Sequence, residues 1–154
     1  MQISIVDGDL LDQPVDCIVN AWNRNIIPWW LLLPHGVSGA IKKRGGLRPF
    51  QEIGSTGPLP LGHARLTSAG KLPFKAIIHV ASIDVFWKAS ETSIARSVEN
   101  ALKLAEDSGF RSIAFPVLGA GSGRLDAERA EAIMCKTFEA TKSRISIILV
   151  RYRG

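Results

Sequence analysis

The chain has 154 residues, of which 46% are hydrophobic and 21% are charged, and its formal net charge is +5 at pH 7. This length suits one domain with one core, and the composition excludes an intrinsically disordered chain. The positive charge suggests an anionic partner, although a basic surface kept for solubility would give the same balance. We therefore expect one folded domain over residues 1–154.

Targeting and redox signals predict a cytoplasmic protein. The N-terminal segment "MQISIVDGD" lacks the basic and long apolar regions of a signal peptide. The apolar run Ile26–Leu33 is far shorter than the ~20 residues of a membrane helix, so no membrane partner is expected. Cys17 and Cys135 lie far apart in apolar segments, which predicts two buried, reduced thiols. The histidines do not cluster in sequence, so neither a metal nor another cofactor is expected.

The first half of the chain predicts four strands and one short helix. Apolar runs predict strands at Ile3–Val6 and Cys17–Asn20, and glycines bound a short helix that begins at Gly36. The segment "GHARLTSAG" alternates like a strand, and Ala76–Ser82 has the apolar composition of a buried strand.

The second half predicts two longer helices between buried strands. From Ser90 to Asp107 apolar residues recur at helical spacing, which predicts an amphipathic helix. "SIAFPVLG" and "ISIILVRY" predict buried strands, and Asp126 is expected to cap the helix between them. Buried strands separated by amphipathic helices indicate an α/β fold whose largely parallel sheet is covered on both faces.

Ligands of such folds bind at the carboxyl ends of the strands. There, "FPVLGAGSGR" brings Gly119, Gly121 and Gly123 after a strand, where backbone N–H groups can approach a phosphate closely. "PHGVSGAI" is a second glycine turn that opens a helix, so two such turns could grip one diphosphate. A tight turn with no ligand is the alternative for the first of these turns.

Polar residues also follow the predicted strands. The amides of Asn20 and Asn23 suit ribose hydroxyls, and Asp9, after the first strand, suits an exocyclic amine. Turn residues that bond their own backbone are the ordinary alternative.

The chain resembles macro domains in the order and spacing of its motifs: "GDL", "VDCIVNAWN", "GVSGAI", "GHARLTSAG", "AIIHVAS" and "SIAFPVLGAGSG". The resemblance implies a three-layer α/β/α sandwich with a mixed, mostly parallel central sheet. It also implies binding of ADP-ribose, either free or attached to a macromolecule.

The resemblance further implies a role for each site residue. Asp9 would hold the adenine amine with help from the Leu10 backbone, and Tyr152 would stack on adenine. Asn23 would face the distal ribose. The two sides of the diphosphate would be lined by Gly36, Val37 and Ser38, and by Gly119, Ala120, Gly121, Ser122 and Gly123.

The chain departs from the family pattern around the phosphate loops. Ser38 stands where hydrolytic members of the MacroD type carry an aspartate, and a neutral hydroxyl is a poor substitute for a carboxylate that positions water. His35 is a candidate base, with a solvent-exposed loop histidine as its alternative. Pro34 removes one N–H donor, whereas Arg124 could pair with a phosphate. Asn23, His35 and Ser38 are thus the candidate catalytic residues.

Several functions stay open from sequence. Reader and hydrolase differ only in whether water is activated at the distal ribose, and a hydrolase would act on ADP-ribosyl groups, ADP-ribose 1''-phosphate or O-acetyl-ADP-ribose. The second class is a basic nucleic-acid-binding module that would use Lys42, Lys43, Arg44, Arg48, Arg151 and Arg153. A nicotinamide-dependent oxidoreductase is disfavoured, because its glycine loop should follow the first strand.

The apolar run Ile26–Leu33 is an enlarged connection relative to the usual motif. Exposed paired tryptophans would be costly in water, so we expect part of the run to pack against the fold. A self-association surface or a lid over the ligand are the alternatives.

Overall fold

The centre of the fold is a six-stranded sheet. The computed structural model describes residues 2–22, 36–82, 89–119 and 126–152, with only the backbone of Gly36, Val37 and Tyr152. The strands are β1 (Ile3–Gly8), β2 (Cys17–Ala21), β3 (Ala64–Thr67), β4 (Ala76–Val80), β5 (Ser112–Pro116) and β6 (Ser146–Tyr152). Their order across the sheet is β1-β6-β5-β2-β4-β3. Only the β3–β4 pair is antiparallel among the described strands, so the prediction of a mixed, mostly parallel sheet is confirmed.

The helices connect these strands. They are α1 (Gly36–Gly45), α2 (Arg48–Gly54), α3 (Glu91–Asp107) and α4 (Ala127–Thr141), and a single 3-10 turn, Leu10–Asp12, follows β1. The predicted helix after Ser90 is confirmed. Ser90 and Ser93 form a capping box, in which each side chain accepts a hydrogen bond from the backbone N–H of the other at 3.0 and 2.9 Å.

Two core clusters lie on opposite faces of the sheet. Successive strand residues point to opposite faces, so Val19 joins one cluster and Ile18 the other. α3 and α4 cover the first face, where Val98 and Phe138 are buried. α1 and α2 cover the second face with a set of buried side chains that includes Ile41, Phe50 and Ile53. The three-layer α/β/α arrangement follows from this alternation.

One helix was missed, and two expectations about local structure need correction. The seven-residue helix α2 was not predicted. Asp126 occupies the N-cap position of α4 with φ of −59° and ψ of 132°, but its side chain makes no capping hydrogen bond. Cys17 is buried as expected, whereas Cys135 is only partly buried on α4.

Two further predictions concern the apolar run and the membrane. Ile26–Leu33 lies outside the described residues, so its packing, interface and lid readings stay predictions. Within the ranges that the structure describes, no helix is both long and apolar enough to cross a membrane.

Candidate functional site

Four neighbouring strands end on the same side of the sheet, which we call the carboxyl edge. β1, β6, β5 and β2 are adjacent and mutually parallel. Asp9 follows β1, Tyr152 ends β6, Gly119 lies just beyond β5, and Ala21 ends β2. Three strand spacings of about 4.8 Å separate β1 from β2, or roughly 14 Å along the edge. The predicted ligand-binding positions therefore form a row and not a single point.

Asp9 is fixed at the β1 end of this row. Its Oδ1 accepts a hydrogen bond from the Leu11 N–H at 2.9 Å, and its backbone carbonyl accepts one from Gln13 Nε2 at 2.8 Å. Arg44 of α1 also approaches it, with Nη1 3.5 Å from Asp9 Oδ2, and donates to Asp12 Oδ1 at 3.1 Å. The Asp9 side chain is 42% exposed, so a ligand can still reach the carboxylate.

Tyr152 lies beside Gly8, because β1 and β6 pair in parallel with these two residues in register. The preceding Arg151 forms a bidentate pair with Glu131 of α4, from Nε to Oε2 at 2.8 Å and from Nη2 to Oε1 at 2.5 Å. This hydrogen-bonded pair lowers the pKa of Glu131 and raises the pKa of Arg151 relative to their ordinary values. The end of β6 is thus tied to α4, close to Asp9.

A side-chain hydrogen bond joins the first turn of α1 to β2. Ser38 Oγ donates to Oδ1 of the fully buried Asn20 at 2.8 Å. The first N–H groups of a helix have no partner within that helix. The bond therefore holds Gly36 and Val37, which begin α1, near the carboxyl end of β2.

Behind Asn20, polar contacts continue through the core. Asn20 Nδ2 lies 3.0 Å from His79 Nδ1, and His79 Nε2 lies 2.8 Å from Thr67 Oγ1. The rings of Trp22 and Phe50 meet the imidazole edge-on, with centroid distances of 6.1 and 6.0 Å. Burial lowers the pKa of His79 to about 3, so its imidazole is neutral at pH 7.

Gly119 opens the glycine loop after β5. Its φ of +84° lies in the left-handed region that favours glycine. A Cβ atom there would lie 2.7 Å from Ile94 Cδ1 and 3.0 Å from Ala89 Cβ. Gly119 therefore packs tightly on the start of α3, which is a structural reason for glycine at this position besides any phosphate.

The structure brings together some of the predicted site residues. Ser38 meets Asn20, and Asp9, with Leu10 next to it, lies beside the end of β6. The candidate catalytic residues Asn23 and His35 lie outside the described residues, as do Ala120, Gly121, Ser122, Gly123 and Arg124. The direct ligand contacts of all these residues stay predictions.

Sequence reasoning missed three residues that shape the site: Arg44, Thr67 and His79. Only a histidine in an otherwise apolar strand, "AIIHVAS", gave any signal. Among the residues that the structure describes, no group of three or more His, Cys, Asp or Glu side chains could hold a metal ion.

Comparisons with known proteins identify the family. A sequence model of the Macro domain matches residues 19–134. A macro domain-containing protein of Caldanaerobacter subterraneus subsp. tengcongensis is 33% identical, over 98% of this chain and 87% of its own length. An O-acetyl-ADP-ribose deacetylase of Escherichia fergusonii is 35% identical, over 88% of this chain and 77% of its own.

A solved structure supports the same assignment. A variant of the Oceanobacillus iheyensis macrodomain with ADPR matches this fold with a TM-score of 0.82 at 26% identity, covering 97% of this chain and 84% of that one. Both the sequence match, which spans most of the chain, and the shared fold lead to one conclusion: the chain belongs to the macro domain family.

Proposed function

We propose that this chain binds ADP-ribose, or an ADP-ribosyl group on a macromolecule, along the carboxyl edge. The observation that carries the proposal is the order of groups across four adjacent strands. Asp9 and Tyr152 stand at one end, Gly119 in the middle, and Ser38 with Asn20 at the other. This order corresponds to base, diphosphate and distal ribose in an extended ADP-ribose molecule.

The β1 end suits an adenine base. The Asp9 carboxylate is fixed by Leu11 and Arg44 and is accessible, so it can accept from the exocyclic amine without reorganising. The backbone of Tyr152 follows the anchored Arg151 and pairs in register with Gly8, next to Asp9. Stacking of a base on an aromatic ring typically contributes about 1–3 kcal/mol.

The middle of the edge suits a diphosphate. The N-terminus of α1 is held at the end of β2 by Ser38, and helix N-termini attract anions through their unpaired N–H groups and dipole. Gly119 opens a glycine-rich segment on the neighbouring strand β5. We infer that these two segments are the phosphate-binding loops, one on each side of the diphosphate.

The family relatives support the same ligand. Structures of the Oceanobacillus iheyensis macrodomain, 26% and 27% identical to this chain, are described as containing ADPR and ADP.

Calorimetric titration tests the proposal directly. ADP-ribose should bind with a dissociation constant in the micromolar range, on the order of −8 kcal/mol, and AMP should bind far more weakly. Equal affinities for the two ligands would remove the diphosphate and ribose subsites from the account. An absence of heat with either ligand would contradict the proposal.

The nucleic-acid alternative loses support from the charge distribution. Three of the arginines that this alternative would use are paired with carboxylates. Arg44 pairs with Asp9 and Asp12, and Arg151 pairs with Glu131. Arg48 Nε lies 3.7 Å from Glu52 Oε2. Phosphates of a nucleic acid would have to compete with these carboxylates. Binding of duplex DNA that weakens steeply with salt, with no preference for ADP-ribose, would restore this alternative.

Hydrolysis of an ADP-ribosyl ester is a second candidate function. The observation that favours it is the 35% identity to an O-acetyl-ADP-ribose deacetylase. Against it stands the neutral Ser38, whose hydroxyl already donates to Asn20. Incubation of O-acetyl-ADP-ribose with the protein, followed by chromatography of the nucleotide, decides between the two. Release of ADP-ribose in proportion to protein concentration would establish turnover.

A further inference from the structure

Four side chains form a continuous hydrogen-bonded chain from α1 to β3. It runs from Ser38 Oγ to Asn20, from Asn20 to His79, and from His79 to Thr67, with separations of 2.8, 3.0 and 2.8 Å. Asn20 and His79 are completely buried and Thr67 is 5% exposed. We call these four residues the polar chain.

The direction of the polar chain is set at Thr67. A threonine hydroxyl carries one hydrogen, and Thr67 Oγ1 donates it to the Ser68 carbonyl at 3.0 Å. Thr67 must therefore accept from His79, which makes Nε2 the protonated ring nitrogen. The reverse direction would leave the Ser68 carbonyl facing a lone pair, and unpaired groups are costly in a buried site.

The remaining two links follow from that tautomer. With its hydrogen on Nε2, His79 offers a lone pair at Nδ1, which accepts from the Asn20 amide nitrogen. The amide oxygen of Asn20 is then turned towards Ser38 and accepts the hydrogen of its hydroxyl. Each member donates a hydrogen to the next one, and reversal of all three links would deprive the Ser68 carbonyl of its Thr67 donor.

We propose that the polar chain makes Ser38 Oγ a neutral hydrogen-bond acceptor for a hydroxyl of the ligand at the ribose end of the carboxyl edge. Asn20, His79 and Thr67 are positioning residues, because they act through Ser38. This inference rests on the proposed function, and it specifies which chemical group the ribose subsite recognises: a hydroxyl that donates. Ser38 thus positions a hydroxyl or a water without removing its proton.

The position of Ser38 supports this role. It is half-buried in the first turn of α1, next to the N–H groups of Gly36 and Val37, and its only hydrogen is used on Asn20. The oxygen keeps a lone pair for a further donor. The rings of Trp22 and Phe50 pack against the buried His79, so water cannot supply an alternative hydrogen-bond partner for its imidazole.

The first test determines the direction of the hydrogen bonds in the polar chain of the ligand-free protein. Nitrogen-15 NMR of the imidazoles in the wild-type protein should show His79 as the neutral Nε2–H tautomer between pH 5 and 8. Thr67→Val should move His79 towards the Nδ1–H tautomer, because the acceptor for Nε2–H is removed. Thr67→Ser keeps the hydroxyl and should keep the wild-type tautomer. An Nδ1–H tautomer or an imidazolium in the wild-type protein would overturn the inference.

The second test reads the ligand contact. Ser38→Ala should weaken ADP-ribose about three- to tenfold, the range of one hydrogen bond, and leave AMP unchanged. Ser38→Thr, which keeps the hydroxyl, should stay within about twofold of the wild-type affinity. Thr67→Val should weaken ADP-ribose like Ser38→Ala, because its reversed chain turns the Ser38 hydrogen outward.

The outcomes separate this inference from the proposed function. If the wild-type protein does not bind ADP-ribose, both fall. If it binds ADP-ribose but Ser38→Ala binds equally well, only the inference falls. An equal loss for ADP-ribose and AMP in Ser38→Ala would indicate a general structural role and would also overturn it.

Discussion

A Cβ atom on Gly119 would lie 2.7 Å from Ile94 Cδ1, where the loop after β5 meets the first turn of α3. Packing therefore disfavours a side chain at this point of the carboxyl edge, because Ile94 would have to shift, and the φ of +84° disfavours one independently. Gly119 is thus held by contact with a helix before any ligand binds.

We expect Gly119→Ala to destabilise the protein by about 2–5 kcal/mol, from left-handed strain of about 1–2 kcal/mol and overpacking of about 1–3 kcal/mol. Gly109→Ala is the matched control. Its φ is +78°, but among the described residues other than its chain neighbours no heavy atom lies within 4 Å of the added Cβ, so only the strain should remain. Urea unfolding measures both losses at constant slope. Equal losses in the two variants would show that the Ile94 contact carries no energy.

The adenine end is tested by two neighbouring carboxylates. Both Asp9 and Asp12 contact Arg44, but only Asp9 stands at the end of β1. Asp9→Ala should weaken ADP-ribose at least about tenfold, because a charged acceptor contributes about 1.5–3 kcal/mol. Asp12→Ala should stay within about twofold, since it removes only a surface ion pair. Calorimetry on both variants measures this difference. A larger loss of affinity for Asp12→Ala would show that adenine does not bind at Asp9.

The buried imidazole predicts how stability depends on pH. The pKa of His79 is about 3 in the folded protein and 6.5 in an unfolded chain. Between about pH 3 and 6.5 the unfolded state therefore carries more bound protons than the folded state. The contribution of His79 to the free energy of unfolding should be fully present above pH 6.5. It should fall with decreasing pH, by up to about 1.4 kcal/mol per pH unit, until the pH reaches the folded pKa.

Carboxylates contribute at lower pH, which defines the informative window. Hydrogen bonds lower the pKa of Asp16, Glu52 and Glu131 from ordinary values of 3.8, 4.5 and 4.5, so their stabilisation is lost only as these groups protonate in acid. Between about pH 5 and 6.5 the slope should belong chiefly to His79. His79→Gln should flatten it in urea titrations at several pH values. A wild-type protein with no slope in that window would contradict a buried neutral histidine.

The two thiols should differ in reactivity. Cys17 is fully buried, and burial raises its pKa to about 12. Cys135 is partly buried, and its pKa is raised mainly by the same effect. A thiol reagent added to the native protein at pH 8 should label Cys135 first, because access limits the reaction of Cys17. Denaturant should abolish the difference, and mass spectrometry of peptides identifies which cysteine reacts.

The sequence predicted the elements that depend on local pattern. The apolar runs at β2, β4, β5 and β6 and the helical spacing of α3 each determine their own structure, since burial of a continuous run or stripe needs few partners. Helix α2 was not predicted because it has only seven residues, of which three are buried, and this is too few to show a helical period.

The polar chain could not be predicted from pattern. Asn20, Ser38, Thr67 and His79 are separated by many residues, and only pairing of β2 with β4 brings Asn20 opposite His79. The pairing of β3 with β4 then brings Thr67 to the other side of the ring. Such contacts depend on strand register, which a single sequence specifies weakly.

The most direct test of the central claim locates ADP-ribose on the protein. In a titration of nitrogen-15-labelled protein followed by backbone NMR, ADP-ribose should shift the amides of Asp9 to Asp12, Ser38, Gly119 and Tyr152. AMP should shift only the Asp9 and Tyr152 end. That result would establish a base-to-ribose order along the carboxyl edge. Shifts confined to other surfaces, such as the exposed faces of α3 and α4, would contradict the account.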